Sequence, residues 1–162
     1  MRIAVSACLL GETCRYDGRS KPCARVQELV ALGHELVPIC PEVAGGLPTP
    51  RTPCEIVQAP WMESEKAHTA DERSGTILDA SGADRTAAYA LGAQAELARA
   101  KEAGCELAIL KAKSPSCGSG EVYDGTFSGT LVPGWGIAAA TFRDAGITVI
   151  DETADFSCLS RV

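Results

Sequence analysis

The sequence predicts an α/β protein: a single-domain, Rossmann-like layered fold with a mainly parallel sheet flanked by helices. Three observations predict it. Four short apolar runs, at residues 2–7, 35–39, 106–110 and 147–150, have the unbroken hydrophobicity of strands covered on both faces. Stretches with helical spacing separate most of them, so strand and helix alternate as in βαβ units. The length of 162 residues suits one domain, spanning 1–162, with a full core.

The elements follow in chain order. Residues 2–7 form the first strand, and 11–23 a polar, turn-rich loop. Val26, Leu29 and Val30 repeat at helical spacing, and Gly33 supplies a stop. Residues 35–39 form the second strand. From 41 to 60 the chain carries Gly45-Gly46, Pro48, Pro50 and Pro53, a density that predicts a long loop with no regular element. Residues 62–76 are polar and charged; the segment 62–80 is expected to be a surface excursion, with Trp61 a partly buried anchor and His68 a solvated side chain. Residues 83–103 are Ala-rich and form the longest helix, closed by Gly104. The third strand is 106–110, a Gly/Ser-rich loop covers 114–130, a helix covers 137–144 up to Gly146, and the fourth strand is 147–150. The tail after it is expected to be irregular. Parallel crossovers are expected to be right-handed; strand order is not legible.

Composition narrows the function. A net charge of −6 lacks the basic footprint that a nucleic-acid polymer requires. A small nucleobase-like ligand is compatible with it. No apolar run approaches the ~20 residues of a membrane span. Val5-Ser6-Ala7-Cys8 resembles a lipoprotein cleavage box, but the seven residues before Cys8 are too few for a charged region plus an apolar core. The expected location is the cytoplasm, where thiols stay reduced. Eight cysteines then point to a metal or to catalysis rather than to a disulfide framework.

Their spacing is informative. No Cys-x-x-Cys pair occurs, which argues against a zinc ribbon and against a thioredoxin-like redox site. Instead Cys8, Cys40 and Cys117 each lie just beyond a strand. Parallel neighbouring strands would bring these thiols to one carboxyl edge, where open α/β sheets bind ligands. Three single ligands from distant loops suit an iron–sulfur cluster, and three thiolates on four irons leave one iron open. The competing reading makes them small buried hydrophobes. Cys14, Cys23, Cys54, Cys105 and Cys158 look less useful, Cys105 because it precedes a strand.

Polar residues share those loops. Glu42 follows Cys40 by two and is a candidate general acid/base; otherwise it is a solvated loop carboxylate. Ser114 and Ser116 flank Pro115 before Cys117 and can hydrogen-bond substrate or cluster sulfide, or simply form the turn. Arg15-Tyr16-Asp17-Gly18, Thr49-Pro50-Arg51, Asp124-Gly125-Thr126 and Lys111 are expected near the same edge. Neither Gly-x-Gly-x-x-Gly nor a P-loop follows a strand, which weighs against a metal-free nucleotide-binding module.

Five blocks carry a family resemblance: Val5-Ser6-Ala7-Cys8-Leu9-Leu10-Gly11; Cys14-Arg15-Tyr16-Asp17-Gly18; Cys40-Pro41-Glu42 with Gly45-Gly46-Leu47-Pro48-Thr49-Pro50-Arg51; Ile109-Leu110-Lys111 with Ser114-Pro115-Ser116-Cys117-Gly118; and Tyr123-Asp124-Gly125-Thr126-Phe127-Ser128-Gly129. Together they resemble a bacterial family first catalogued as a domain of unknown function and associated with thiouracil desulfidase. The resemblance runs from about residue 2 to about residue 150. It implies a 4Fe-4S cluster held by Cys8, Cys40 and Cys117, with the open iron binding the sulfur of a small thiolated pyrimidine. It implies a non-redox C–S cleavage of hydrolase or lyase type that releases the oxo-base and hydrosulfide. Glu42 matches the acid/base position, assisted by Ser114 or Ser116. Cys14 and Cys54 also lie in or near matching blocks, which leaves a different third ligand open. The rival reading is a metal- or redox-sensing thiol protein without turnover.

Overall fold

The computed structural model describes residues 1–57 and 75–159. Four strands, β1 (Arg2–Ser6), β2 (Glu35–Ile39), β5 (Leu107–Leu110) and β8 (Thr148–Asp151), form a sheet in the order β2-β1-β5-β8. All its pairings are parallel, so every strand ends at the same edge. Alternation along the strands divides the core in two. Ala4, Ile39, Ala108 and Leu110 face one layer, with Ala100 of α3 (Thr86–Glu102) and Ala139 and Phe142 of α4 (Ile137–Asp144). Ile3, Val5, Leu107 and Ile109 face the other, with Leu9, Val26 and Leu29. Strands covered on both faces have no polar side to show, hence the unbroken apolar runs.

The second layer is thin. It consists of a 3₁₀ turn at Ala7–Leu10, the short helix α1 (Ala24–Gln27) and its 3₁₀ continuation Glu28–Val30. The irregular tail contributes Phe156, packed into this core with the Arg25 guanidinium 4.8 Å from its ring centre.

Four strands are absent from the sequence reading. β3 (Cys54–Val57) pairs antiparallel with β4 (Thr76–Asp79), and β6 (Ser119–Tyr123) with β7 (Leu131–Trp135). The expected loop 41–60 therefore holds a helical turn, α2 (Pro41–Ala44), and strand β3. The expected loop 114–130 holds β6. The end of the expected surface excursion is β4, whose Ile77 is fully buried beside Ile56 and Tyr89. The rest of that excursion, with Trp61 and His68, lies outside the described residues. Two-stranded ribbons have exposed edges, which is where a strand tolerates the Pro133-Gly134 of β7.

Candidate active site

The three strand-end loops place their thiols in one cavity of about 540 Å³. β1 runs directly into the 3₁₀ turn that carries Cys8. The Cys8 carbonyl accepts the N–H of Lys21 at 2.9 Å, folding the following loop back over the edge. Cys40 caps the N-terminus of α2, with Pro41 at the first helical position, where its missing N–H costs nothing. The Cys40 N–H donates to Oε1 of Glu96, a buried carboxylate of α3, at 3.1 Å. Cys117 sits after β5 in a turn whose main chain docks on α4. The Ile137 and Ala139 N–H groups donate to the Pro115 and Ser116 carbonyls, each at 3.0 Å.

A fourth thiol joins them. The Cys14 thiol lines the same cavity, beside those of Cys8 and Cys40. The position that the sequence set aside thus belongs to the thiol group. Contact with Cys40 pulls the Cys14 thiol down, but contact with Cys8 and burial outweigh it and leave it at about 11. Contact with Cys14, then burial, raises Cys40 far above the ordinary thiol range. Burial pushes Cys117 up to about 12. All eight cysteines are free thiols. Metal binding removes these protons, since the thiolate is the ligand.

Glu42 faces the same cavity at the centre of a hydrogen-bond network. Its Oε2 accepts the Ser116 hydroxyl at 2.9 Å. Its Oε1 accepts the Tyr89 hydroxyl at 2.8 Å and Arg51 Nε at 3.1 Å. Ser114 Oγ is 3.0 Å from Ser116 Oγ and accepts the Cys117 N–H at 3.1 Å. Ser116 Oγ is 3.6 Å from Cys117 Sγ, so one hydroxyl touches both the carboxylate and a thiol. Arg51 also donates to the Cys14 carbonyl at 2.8 Å and to the Pro48 carbonyl at 3.1 Å. That guanidinium ties the Cys14 loop to the carboxylate.

Close approach of two backbones makes this network possible. A Cβ on Gly92 of α3 would lie 1.7 Å from the Pro41 carbonyl, and one on Gly45 2.0 Å from that of Ala88. Only glycine permits the contact. It lays α2 on α3 and brings Glu42 to Tyr89, one helical turn before Gly92. Burial, then the Glu42 charge, raises the Tyr89 hydroxyl far above its ordinary range, so it stays a donor.

Sequence reasoning missed Tyr89 and Glu96. The available signal was a glycine within an Ala-rich helix, three residues after a tyrosine. Lys111 lines the cavity, but its ammonium pairs with Glu152, and its main-chain N–H donates to Ser6 Oγ at 2.9 Å. Cys105 is buried at the opposite edge, and Cys158 is exposed in the tail.

The model of the 2-thiouracil desulfurase family matches residues 3–154. This chain belongs to that family. It is 43% identical over 152 residues to the uncharacterized protein YbbK of Bacillus subtilis (strain 168), covering 93% of this chain and 95% of that one. Among solved structures it resembles the [4Fe-4S]-dependent thiouracil desulfidase TudS, with a TM-score of 0.77 and 40% identity. That match covers 94% of this chain and 91% of the other.

The donor set in this member fits an iron–sulfur cluster. Soft thiols converge from separate loops, and the Ser116 hydroxyl lies 3.6 Å from Cys117 Sγ, within reach of sulfur. Among the described residues, no three His, Cys, Asp or Glu side chains are grouped tightly enough for a single metal ion. No helix among the described residues is long and apolar enough to cross a membrane.

Proposed function

We propose that this protein is a thiouracil desulfidase: an iron–sulfur enzyme that exchanges the sulfur of a small thiolated pyrimidine for oxygen, without net redox change. Cys8, Cys40 and Cys117 hold a 4Fe-4S cluster by three thiolates and leave one iron open. When bound, the cluster supplies a thiophilic Lewis acid that polarises the C–S bond and stabilises the departing sulfide.

The residues of the chain supply the proton chemistry. Glu42 Oε2 receives a proton from the attacking water, whose oxygen forms the new C–O bond as the C–S bond breaks. The products are the oxo-base and hydrosulfide. Tyr89 and Arg51 fix the Oε1 side of the carboxylate, which leaves Oε2 as the working oxygen. Ser116 bridges Oε2 and Cys117 and carries a proton between the carboxylate and the sulfur side of the cavity. Ser114 orients Ser116 and the Cys117 main chain. General acid–base assistance of this kind contributes about 10²–10⁴-fold.

The observation that carries the reading is the shared cavity: thiols from three strand-end loops face a carboxylate held by three hydrogen-bond donors. A sensor of metal or oxidation state has no use for the carboxylate, which favours the enzyme. The test is anaerobic reconstitution followed by iron and labile-sulfide analysis, then incubation with thiouracil. About four irons and four sulfides per chain, with uracil and hydrosulfide released one to one, is the expected result. A loaded cluster without turnover on any thiolated pyrimidine would return the protein to the sensor class.

A further inference from the structure

Phe127 stands in the loop between β6 and β7 with φ +56°, in the left-handed region. A bulky aromatic residue there is an outlier, and such strain persists only where the surroundings fix it. They do so here. Glu55 of β3, a buried carboxylate, accepts the N–H groups of Gly125 at 3.1 Å and Phe127 at 3.3 Å. Gly125 lies so close to β3 that an added Cβ would come within 2.8 Å of the Ile56 carbonyl. The Thr126 hydroxyl hydrogen-bonds with Asp124 and with Ser128 at 2.6 Å each, and Ser128 with Thr130 at 2.8 Å, which stiffens the loop from within. This clamped loop presents an apolar ring that remains 40% exposed and lines the cavity. Tyr16, at 42% exposure, is the other strongly exposed aromatic among the described residues, and it lines the same cavity. Strain and exposure together mark a side chain kept for a ligand rather than for the core.

We propose that Phe127 is the stacking wall of the substrate cavity and selects planar heterocyclic rings, with Tyr16 a second aromatic surface at the same mouth. The ring to be bound is taken from the desulfidase reading above. A thiolated pyrimidine is flat and presents a π-face that an aromatic side chain stacks on, and a rigid loop binds it without an ordering cost. The cluster recognises sulfur; Phe127 recognises the ring that carries it.

The test uses cluster-loaded wild type, Phe127→Ala, Phe127→Leu and Phe127→Tyr. The readouts are KM and kcat for thiouracil, equilibrium dialysis with uracil, and absorption titration with hydrosulfide, a sulfur ligand without a ring. Phe127→Ala is expected to raise KM and weaken uracil binding by about 5–150-fold, the range of one base–aromatic stack. With uniform binding lost, kcat stays near wild type. Hydrosulfide titration is unchanged. Leucine keeps the size and the backbone strain but loses the π-face, so it behaves like alanine; tyrosine behaves like wild type. That pair decides the matter if alanine does not fold. Uracil binding within twofold of wild type in the leucine variant, or hydrosulfide binding weakened in parallel, overturns the proposal. A wild type that binds uracil but turns over no thiouracil sinks the desulfidase reading alone, because the Leu/Tyr comparison on uracil still reports the wall.

Discussion

The two edges of the parallel sheet contain the same kinds of residue and differ in what those residues can do. At the amino edge, Cys105 is buried beside Arg2, which pairs with Glu35 at 2.8 Å on the surface. At the carboxyl edge, Cys8, Cys14, Cys40 and Cys117 converge with Glu42 on one cavity. Burial does not separate the two sets, since Cys105 and Cys117 are 6% and 5% exposed. Strand direction does. In a parallel sheet all strands finish at one edge, and the loops leaving adjacent strands start side by side. Cys105 enters its strand; Cys8, Cys40 and Cys117 leave theirs, and Cys14 lies in the loop beyond Cys8.

The largest expected effect tests that contrast directly. Cys8→Ala, Cys40→Ala and Cys117→Ala each lose cluster iron nearly completely after anaerobic reconstitution, whereas Cys105→Ala keeps it. Cys14→Ala also keeps most of it, because Cys14 sits in the loop beyond Cys8 rather than at a strand end. Iron analysis of the five variants decides; a Cys105→Ala protein without iron would show that strand direction does not separate the two sets.

Next comes Glu42→Gln. It removes the acceptor for a water proton but keeps the shape, so the cluster loads normally and thiouracil turnover falls by about 10²–10⁴-fold. Iron content beside turnover separates this chemistry from ligand loss.

Gly92→Ala disturbs the carboxyl edge through packing. The added methyl meets the Pro41 carbonyl, so α2 must lift from α3. The expected loss is about 1–3 kcal/mol of stability, the usual cost of overpacking, together with weaker turnover as Glu42 leaves Tyr89. A denaturant curve and a kcat measurement read both. Gly82→Ala is the contrast. Its φ is +87° but nothing lies within 4 Å, so stability falls and turnover does not.

The smallest effect concerns neither edge. Asp79 accepts hydrogen bonds from the Ser81 hydroxyl and the Ala83 N–H and pairs with Arg85 at 3.0 Å. The Ser81 hydroxyl first, then the Ala83 N–H and Arg85, hold its carboxyl down at about 2. Because the folded value is lowered, the unfolded chain binds the proton more readily. This contribution is present above about pH 4 and is lost as pH falls toward 2. Asp79→Asn flattens the acid limb of the melting-temperature profile in that window. An unchanged limb would assign acid sensitivity elsewhere.

The sheet was legible because parallel strands buried on both faces must be apolar throughout, and 35–39 and 137–144 match β2 and α4 to the residue. The ribbons were illegible for the converse reason. β6 and β7 carry Gly120, Pro133 and Gly134, residues that mark loops unless a partner strand supplies hydrogen bonds from outside. The site divides similarly. Cys8, Cys40, Cys117, Glu42 and the two serines stand out from local strand-end positions and the blocks around them. Tyr89 comes from a helix distant in sequence and is identified only by the carboxylate it touches.

The sequence by itself therefore determined the α/β class, the direction in which the strands run out, and which loops carry thiols and a carboxylate. Those features rest on hydrophobic period and on residues adjacent in the chain. The tertiary structure alone decided the strand order, the entry of Cys14 into the thiol group, the clamp of Glu55 on the Phe127 loop, and the glycine contact that sets Glu42 against Tyr89. Each depends on how far apart two backbones pack, a distance that no local pattern encodes.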